Sequence, residues 1–253
     1  MKPLQLFSYA VLFFSSLVLT SCEPDEVKDG KGDLTIRFKL VYGDVPLEMF
    51  KTYAYPLTND PFFMTRLSFF ISDLALKSSE KEVLLKDIDY LNLTTAYTGG
   101  TPLNGFEYKL NGVPVGQYST LKFGIGVPMA SNALQPKDFP AGSILSNTSE
   151  YWSSWKSYIF FRPEGKIKLS GSNAFDTDFA LHLGADAAYR IVDLSKSVTI
   201  TSGNNSNVDV TIDIQKFFNG KTFHDINETP QIHSLFQIPL INSLADNLTT
   251  AIK

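Results

Sequence analysis

Leu34-Thr35-Ile36-Arg37-Phe38-Lys39-Leu40 alternates apolar and polar side chains without a break. Period two marks a strand with one face on a core and the other toward water. Further on, Phe62-Phe63-Met64-Thr65-Arg66-Leu67-Ser68-Phe69-Phe70-Ile71-Ser72 is dense in aromatics and follows the turn signal Asn59-Asp60-Pro61. Shorter runs continue the pattern: Val83 to Leu85, Asp89 to Leu93, Phe106 to Leu110 and Tyr118 to Ile125. Then come Lys166 to Leu169, Phe179 to Leu183, Tyr189 to Leu194, Val198 to Ile200 and Val208 to Ile214. Turn signals such as Gly99-Gly100-Thr101-Pro102 and Asn111-Gly112 separate them. Many short strands with Gly, Pro and Asn turns predict an all-β architecture, a sandwich or a barrel. Two stretches depart from it. Residues 126–149, with Pro128, Pro136, Pro140 and Gly142, read as one long loop of the kind that often carries function. Ile241, Leu244, Ala245, Leu248 and Ile252 recur at helical spacing and predict a short amphipathic C-terminal helix.

Upstream of the first strand the pattern changes. Lys2 is followed by an apolar stretch around Ala10 to Phe14 and Leu17 to Leu19, and the run Leu19-Thr20-Ser21-Cys22 ends on the only cysteine of the chain. A charged start, a short apolar stretch and small residues before a cut predict a signal peptide over 1–21. The Leu-Thr-Ser-Cys ending resembles the lipobox of bacterial lipoproteins, in which the cysteine carries lipid and anchors the chain in a membrane. Residues 22–33 are charged and contain Gly30 and Gly32, so they read as a flexible tether. The expected location is the outer membrane, on its periplasmic or cell-surface face. With Cys22 consumed by lipid, neither a disulfide nor a thiolate ligand is available within the monomer. Removing Lys2 with the leader leaves 21 basic against 26 acidic residues. That balance argues against nucleic acid as a partner.

The chain carries no HExxH, no GxSxG, no glycine-rich phosphate loop and no EF-hand spacing. The expectation is therefore a protein that binds and does not catalyse. Three histidines remain: His182, His224 and His233. In Phe179-Ala180-Leu181-His182-Leu183-Gly184, alternation sends Phe179, Leu181 and Leu183 to the core and Ala180, His182 and Gly184 to the other face. Two small neighbours predict open space around the imidazole. That suits a metal ligand on a rigid strand, and equally a half-exposed histidine bonded to a neighbouring strand. His233 lies at the mouth of the C-terminal helix, whereas His224, in Phe223-His224-Asp225, reads as an ordinary loop residue. The segment from Tyr151 to Phe161 holds both tryptophans, Trp152 and Trp155. Its readings are a core strand, an aromatic platform for sugar or peptide, or a tryptophan beside a metal.

Taken in order, several of these stretches resemble the copper-binding MbnP-like domain, named for the periplasmic partner of methanobactin. The matching segments are Phe69 to Leu74, Asp89-Tyr90-Leu91, and Val113 to Tyr118 with Phe123 to Val127. They continue with Trp152 through Tyr158-Ile159-Phe160 to Glu164-Gly165, then Phe179 to Gly184, and His233-Ser234 before the helix. The resemblance implies an antiparallel β-sandwich over 34–253, with long loops and a short C-terminal helix. It also implies a copper site. By position, His182 and His233 are the implied metal ligands, and Trp152 is the implied metal-adjacent residue, open to oxidation to kynurenine. Ser154 stands where the family has its second tryptophan, and Trp155 is displaced by one. On a strand that displacement turns a side chain to the opposite face, so Trp155 is expected to point away from the site. The implied role is storage or handover of copper, with a periplasmic or surface protein as partner. The competing expectation is a surface module without metal that binds glycan, peptide or a partner protein.

Overall fold

A computed structural model describes residues 30–99 and 104–253. The leader 1–21, Cys22, most of the tether and residues 100–103 lie outside the described residues. The strands in the first half are β1 (Lys31–Tyr42), β2 (Val45–Pro46), β3 (Tyr53–Ala54), β4 (Pro61–Lys77), β5 (Glu82–Asn92), β6 (Phe106–Pro114) and β7 (Gly116–Ile125). A short helix α1 (Met129–Asn132) follows, then β8 (Tyr151–Trp152), β9 (Ser157–Ile167), β10 (Thr177–Leu181) and β11 (Leu183–Gly184). The chain ends with β12 (Arg190–Ile200), β13 (Asn205–Asp213), α2 (Ile214–Phe218), β14 (Gln231–Ile232) and α3 (Ile238–Ala251). Among the described residues no helix is long and apolar enough to cross a membrane.

The strands form a β-sandwich. The smaller sheet runs β13-β1-β2 with β6 on β1, and the larger runs β12-β7-β4-β9-β10-β14 with β5 on β4. The opening alternation holds: Leu34, Ile36, Phe38 and Leu40 are buried between the sheets. Arg37 and Lys39 turn outward to ion pairs with Glu107 and Asp209. Most pairings are antiparallel, but β1 pairs β13 in parallel from Asp33↔Asn205 to Val41↔Asp213, and β14 lies parallel to β10. The reason for the first is a crossing: β12 belongs to the larger sheet, and after the turn at residues 201–204 the chain enters the smaller one beside β1. That corner corrects the expected tether boundary. β1 begins at Lys31, and a Cβ on Gly32 would lie 2.3 Å from the Thr201 carbonyl oxygen. Gly32 is a close-packing position and not linker composition.

β4 explains its own aromatic density. Successive side chains Phe69 and Phe70 point to opposite faces, yet both are buried. Phe69 packs on Phe38 across the sandwich, with ring centroids 5.7 Å apart. Phe70 meets Tyr90 and Tyr158 on the other face, at 5.0 and 5.6 Å. A strand buried on both faces reads as a continuous apolar run. The second face is covered by the 126–149 stretch, which holds α1 and single helical turns at Pro136–Asp138 and Ile144–Ser146. Asn132 pins it: the buried amide oxygen accepts from Tyr158 N and Ser157 Oγ, and Nδ2 donates to Asp186. The expected C-terminal helix forms as α3, burying Ile241, Leu244, Ala245 and Leu248.

His224 differs from the expected loop histidine. It sits in a loop but is only 3% exposed, and Nε2 has no hydrogen-bond partner. Its backbone is fixed by Tyr55 Oη donating to its carbonyl and its own N–H donating to Phe218. Burial pulls its pKa down to about 4. Between about 4 and the ordinary value of 6.5 the unfolded chain therefore binds the extra proton. Stability should fall as pH drops through that window, by about 3 kcal/mol at most. His224→Asn should flatten this slope in urea melts between pH 7 and 4. A slope equal to that of the wild type would contradict the assignment.

Candidate metal centre

His182 occupies the break between β10 and β11. The β9 ladder pairs Ala180 with Glu164, lapses, and resumes at Leu183 with Phe161. His182 follows Ala180 by two, so alternation brings its ring to the face that carries Glu164. His182 Nε2 lies 2.7 Å from Glu164 Oε1. The open space expected around this imidazole is absent, and the residue is 7% exposed. A Cβ on Gly184 would meet the Trp155 ring at 3.1 Å, so the small residue makes room for an indole.

The Trp155 expectation is corrected for the same reason. β8 pairs with β9 at Tyr151↔Tyr158 and Trp152↔Ser157, which leaves Ser153 to Lys156 as a hairpin loop. Trp155 is thus on a turn, where strand alternation does not apply. Its N–H donates to the Trp152 carbonyl, and Lys156 takes φ +52° to rejoin β9. The result is a stacked pair: the Trp152 and Trp155 rings lie 4.8 Å apart at 16°. Trp155 is buried, and its indole N–H donates to the His233 carbonyl at 3.0 Å.

His233 follows β14 directly and precedes the Leu235–Gln237 turn that leads into α3. Gln237 Oε1 accepts from the backbone N–H groups of both His233 and Ser234. The two predicted ligands and the predicted tryptophan converge. His182 and His233 ring centroids are 5.0 Å apart, and Trp152 meets them edge-on at 5.4 and 4.9 Å. His182 forms the buried side of the cluster and His233 the solvent side. His224 is no part of it: its backbone bonds run to Phe218 and Tyr55. Cys22, the predicted lipidation site, lies outside the described residues.

The electrostatics favour a neutral ring at His233. Although the residue reaches solvent, partial burial of its ring and the neighbouring His182 hold its pKa below the ordinary value. Glu164 is also partly buried, which opposes its charge, but hydrogen bonds from His182 and Arg162 outweigh this and hold its pKa at about 2. Arg162 Nε donates to Glu164 Oε1 at 2.6 Å. Glu164 therefore accepts from His182 as an anion, and His182 Nδ1 is left as a buried atom without a hydrogen-bond partner. Such an atom costs about 1–3 kcal/mol, and a metal ion is one partner that removes the cost. A carboxylate on one imidazole nitrogen with the other free is the arrangement that supports metal-binding histidines. The donor set fits a copper ion on these grounds. Among the described residues no group of three or more His, Cys, Asp or Glu side chains is placed to hold a metal. Two imidazoles are the protein's titratable donors here, and a further ligand would come from elsewhere.

The MbnP family model matches residues 31–234, a span that includes Trp152, Trp155, His182 and His233. The chain belongs to the MbnP family. Its fold is similar to the solved structure of MbnP from Methylosinus trichosporium, with a TM-score of 0.53 at 13% identity. The superposition covers 76% of this chain and 79% of the other. No curated protein matches the sequence.

Sequence reasoning gave no role to Glu164, Arg162 or Glu150, and expected Trp155 to point away from the site. A signal for one pair was present, since Arg162 and Glu164 at i and i+2 share a face of any strand. Trp155→Ala should cost about 3–5 kcal/mol, as for other buried tryptophans. It should also abolish the exciton couplet that two stacked indoles give in far-ultraviolet circular dichroism. A couplet retained in the variant would place the partner of Trp152 elsewhere.

Proposed function

We propose that this MbnP-family protein is a lipid-anchored envelope protein that binds copper through His182 and His233 and stores it or hands it on. The observation that carries the reading is the convergence of the two imidazoles beside Trp152, with His182 Nδ1 buried and unpartnered. When bound, the metal would draw its chemistry from imidazole donors, which suit copper and zinc alike. Family membership favours copper.

Each residue has a separate task. Glu164 orients His182. The indole N–H of Trp155 fixes the His233 backbone. Trp152 lies edge-on against both rings and is the residue whose oxidation would add a donor. Because His233 is exposed while His182 is buried, one ligand stays reachable by an acceptor. A half-open site suits transfer to a periplasmic or surface partner better than permanent storage. Lipid on Cys22 would hold the site at the outer membrane, and no substrate need be transformed.

Calorimetric titration of the purified protein with copper, and with zinc in parallel, tests this. One copper should bind per chain. His182→Ala and His233→Ala should each lower the affinity by more than about 100-fold, beyond the loss typical of a supporting residue. Mass spectrometry of membrane-extracted protein should find acyl chains on Cys22. Undiminished binding in both variants would sink the assignment of ligands.

A further inference from the structure

The histidine pair is backed by a chain of charged groups longer than metal binding by two imidazoles requires. Glu164 Oε1 receives both His182 Nε2, at 2.7 Å, and Arg162 Nε, at 2.6 Å. Arg162 Nη1 reaches on to Glu150 Oε2 at 3.2 Å. Glu150 is 2% exposed, and its other oxygen accepts from Arg66 Nη2 at 2.7 Å. Arg66 Nη2 also donates to Tyr90 Oη at 2.9 Å. The register explains the alignment: β4 sets Arg66 against Glu164 and Ser68 against Arg162. The chain thus crosses from β5 through β4 and β9 to His182.

We propose that Arg162 and Glu150 are positioning residues for the metal centre, holding Glu164 so that His182 keeps its proton on Nε2 and leaves Nδ1 free. This rests on the copper reading above. A carboxylate oxygen only accepts, so the nitrogen facing it must carry the proton. Which nitrogen of a histidine is free is decided by the bond the other one makes. Glu164 alone has the rotamers to swing away, and Arg162 removes that freedom with a planar fork that spans two carboxylates. Glu150 holds the far side of the fork. A buried carboxylate is stable only when paired, and two guanidinium groups pair it here. Two carboxylates against two guanidiniums balance in charge without His182. Glu150 also stands two residues before Trp152, immediately ahead of β8. The same buried carboxylate therefore locates the strand that carries the tryptophan wall, and both sides of the site share one anchor.

The test reads the tautomer directly. Long-range proton–nitrogen correlation spectra of the metal-free protein should show His182 as a single Nε2–H tautomer. In Arg162→Met the tautomers should mix, and copper affinity by competition titration should fall about 10- to 100-fold. Arg162→Lys, which keeps the charge without the fork, should fall between. If Arg162→Met does not fold, Glu150→Gln carries the same two readouts, because it removes the anchor's charge at nearly constant shape. An unchanged tautomer and unchanged affinity in the folded variants would overturn the proposal. The tautomer also separates this idea from the one it rests on. A wild-type protein that binds no copper but loses its single tautomer in Arg162→Met overturns the metal reading and upholds the positioning role.

Discussion

The architecture depends on β4 being buried on both faces. A strand in a two-layer sandwich needs only one buried face. Here Phe69 belongs to the layer between the sheets and Phe70 to a second apolar layer outside it. Leaving the second layer bare would expose Phe70, Tyr158 and Phe160, all at most 1% exposed in the fold. The stretch between β7 and β8 supplies the cover. It cannot be a featureless loop, because its polar backbone groups must find partners while it lies on an apolar face. Single helical turns and the buried Asn132 satisfy that need. The cover then ends where Glu150 enters its ion pairs, and the chain turns directly into the tryptophan hairpin. The site is thus a consequence of how the extra apolar face is closed.

Much of the sandwich was legible from period alone. β1 and α3 declare themselves because each has one wet face, so polarity alternates with the geometry of the element. β4 was legible as a strand but not as a doubly buried one, since a continuous apolar run carries no period. The parallel pairing of β1 with β13 was hidden because it joins residues about 170 positions apart, through a sheet crossing that no local pattern encodes. His182, His233 and Trp152 were reached by resemblance and by the exposed-face argument. Glu164 was not, because its partnership with His182 depends on the β9–β10 register, which sequence spacing does not contain. Gly184 was read as leaving open space beside His182, whereas in the structure an indole fills it.

The pairing of a buried and an exposed histidine has a physical logic of its own. Burial raises the cost of leaving His182 Nδ1 without a partner. Under the proposed metal reading an ion would remove that cost, and exposure at His233 would ease its release, since water could replace it on the ring. Partial burial and the nearness of His182 also keep the His233 ring from protonating easily, so it remains a lone-pair donor. The indoles supply the low-polarity wall without adding charge, and the carboxylate on His182, Glu164, is already matched by Arg162. An ion bound there, as proposed, would be held by donor atoms and enclosure, with little net negative charge to retain it.

The place of Trp155 is decided by the hairpin and not by strand phase. Counted along a strand, moving Trp155 by one residue would put it on the wrong face. The hairpin absorbs the difference because its loop residues are free of the ladder. Lys156 adopts a positive φ, and the register is restored at Ser157 before the ladder with β8 resumes. Trp155 then has two fixed points, the Gly184 backbone beneath its ring and the His233 carbonyl beyond its N–H. Those contacts, and not its place in the sequence, define the position. On a turn, then, contact with Gly184 and the His233 carbonyl sets where the indole lies, and strand alternation does not.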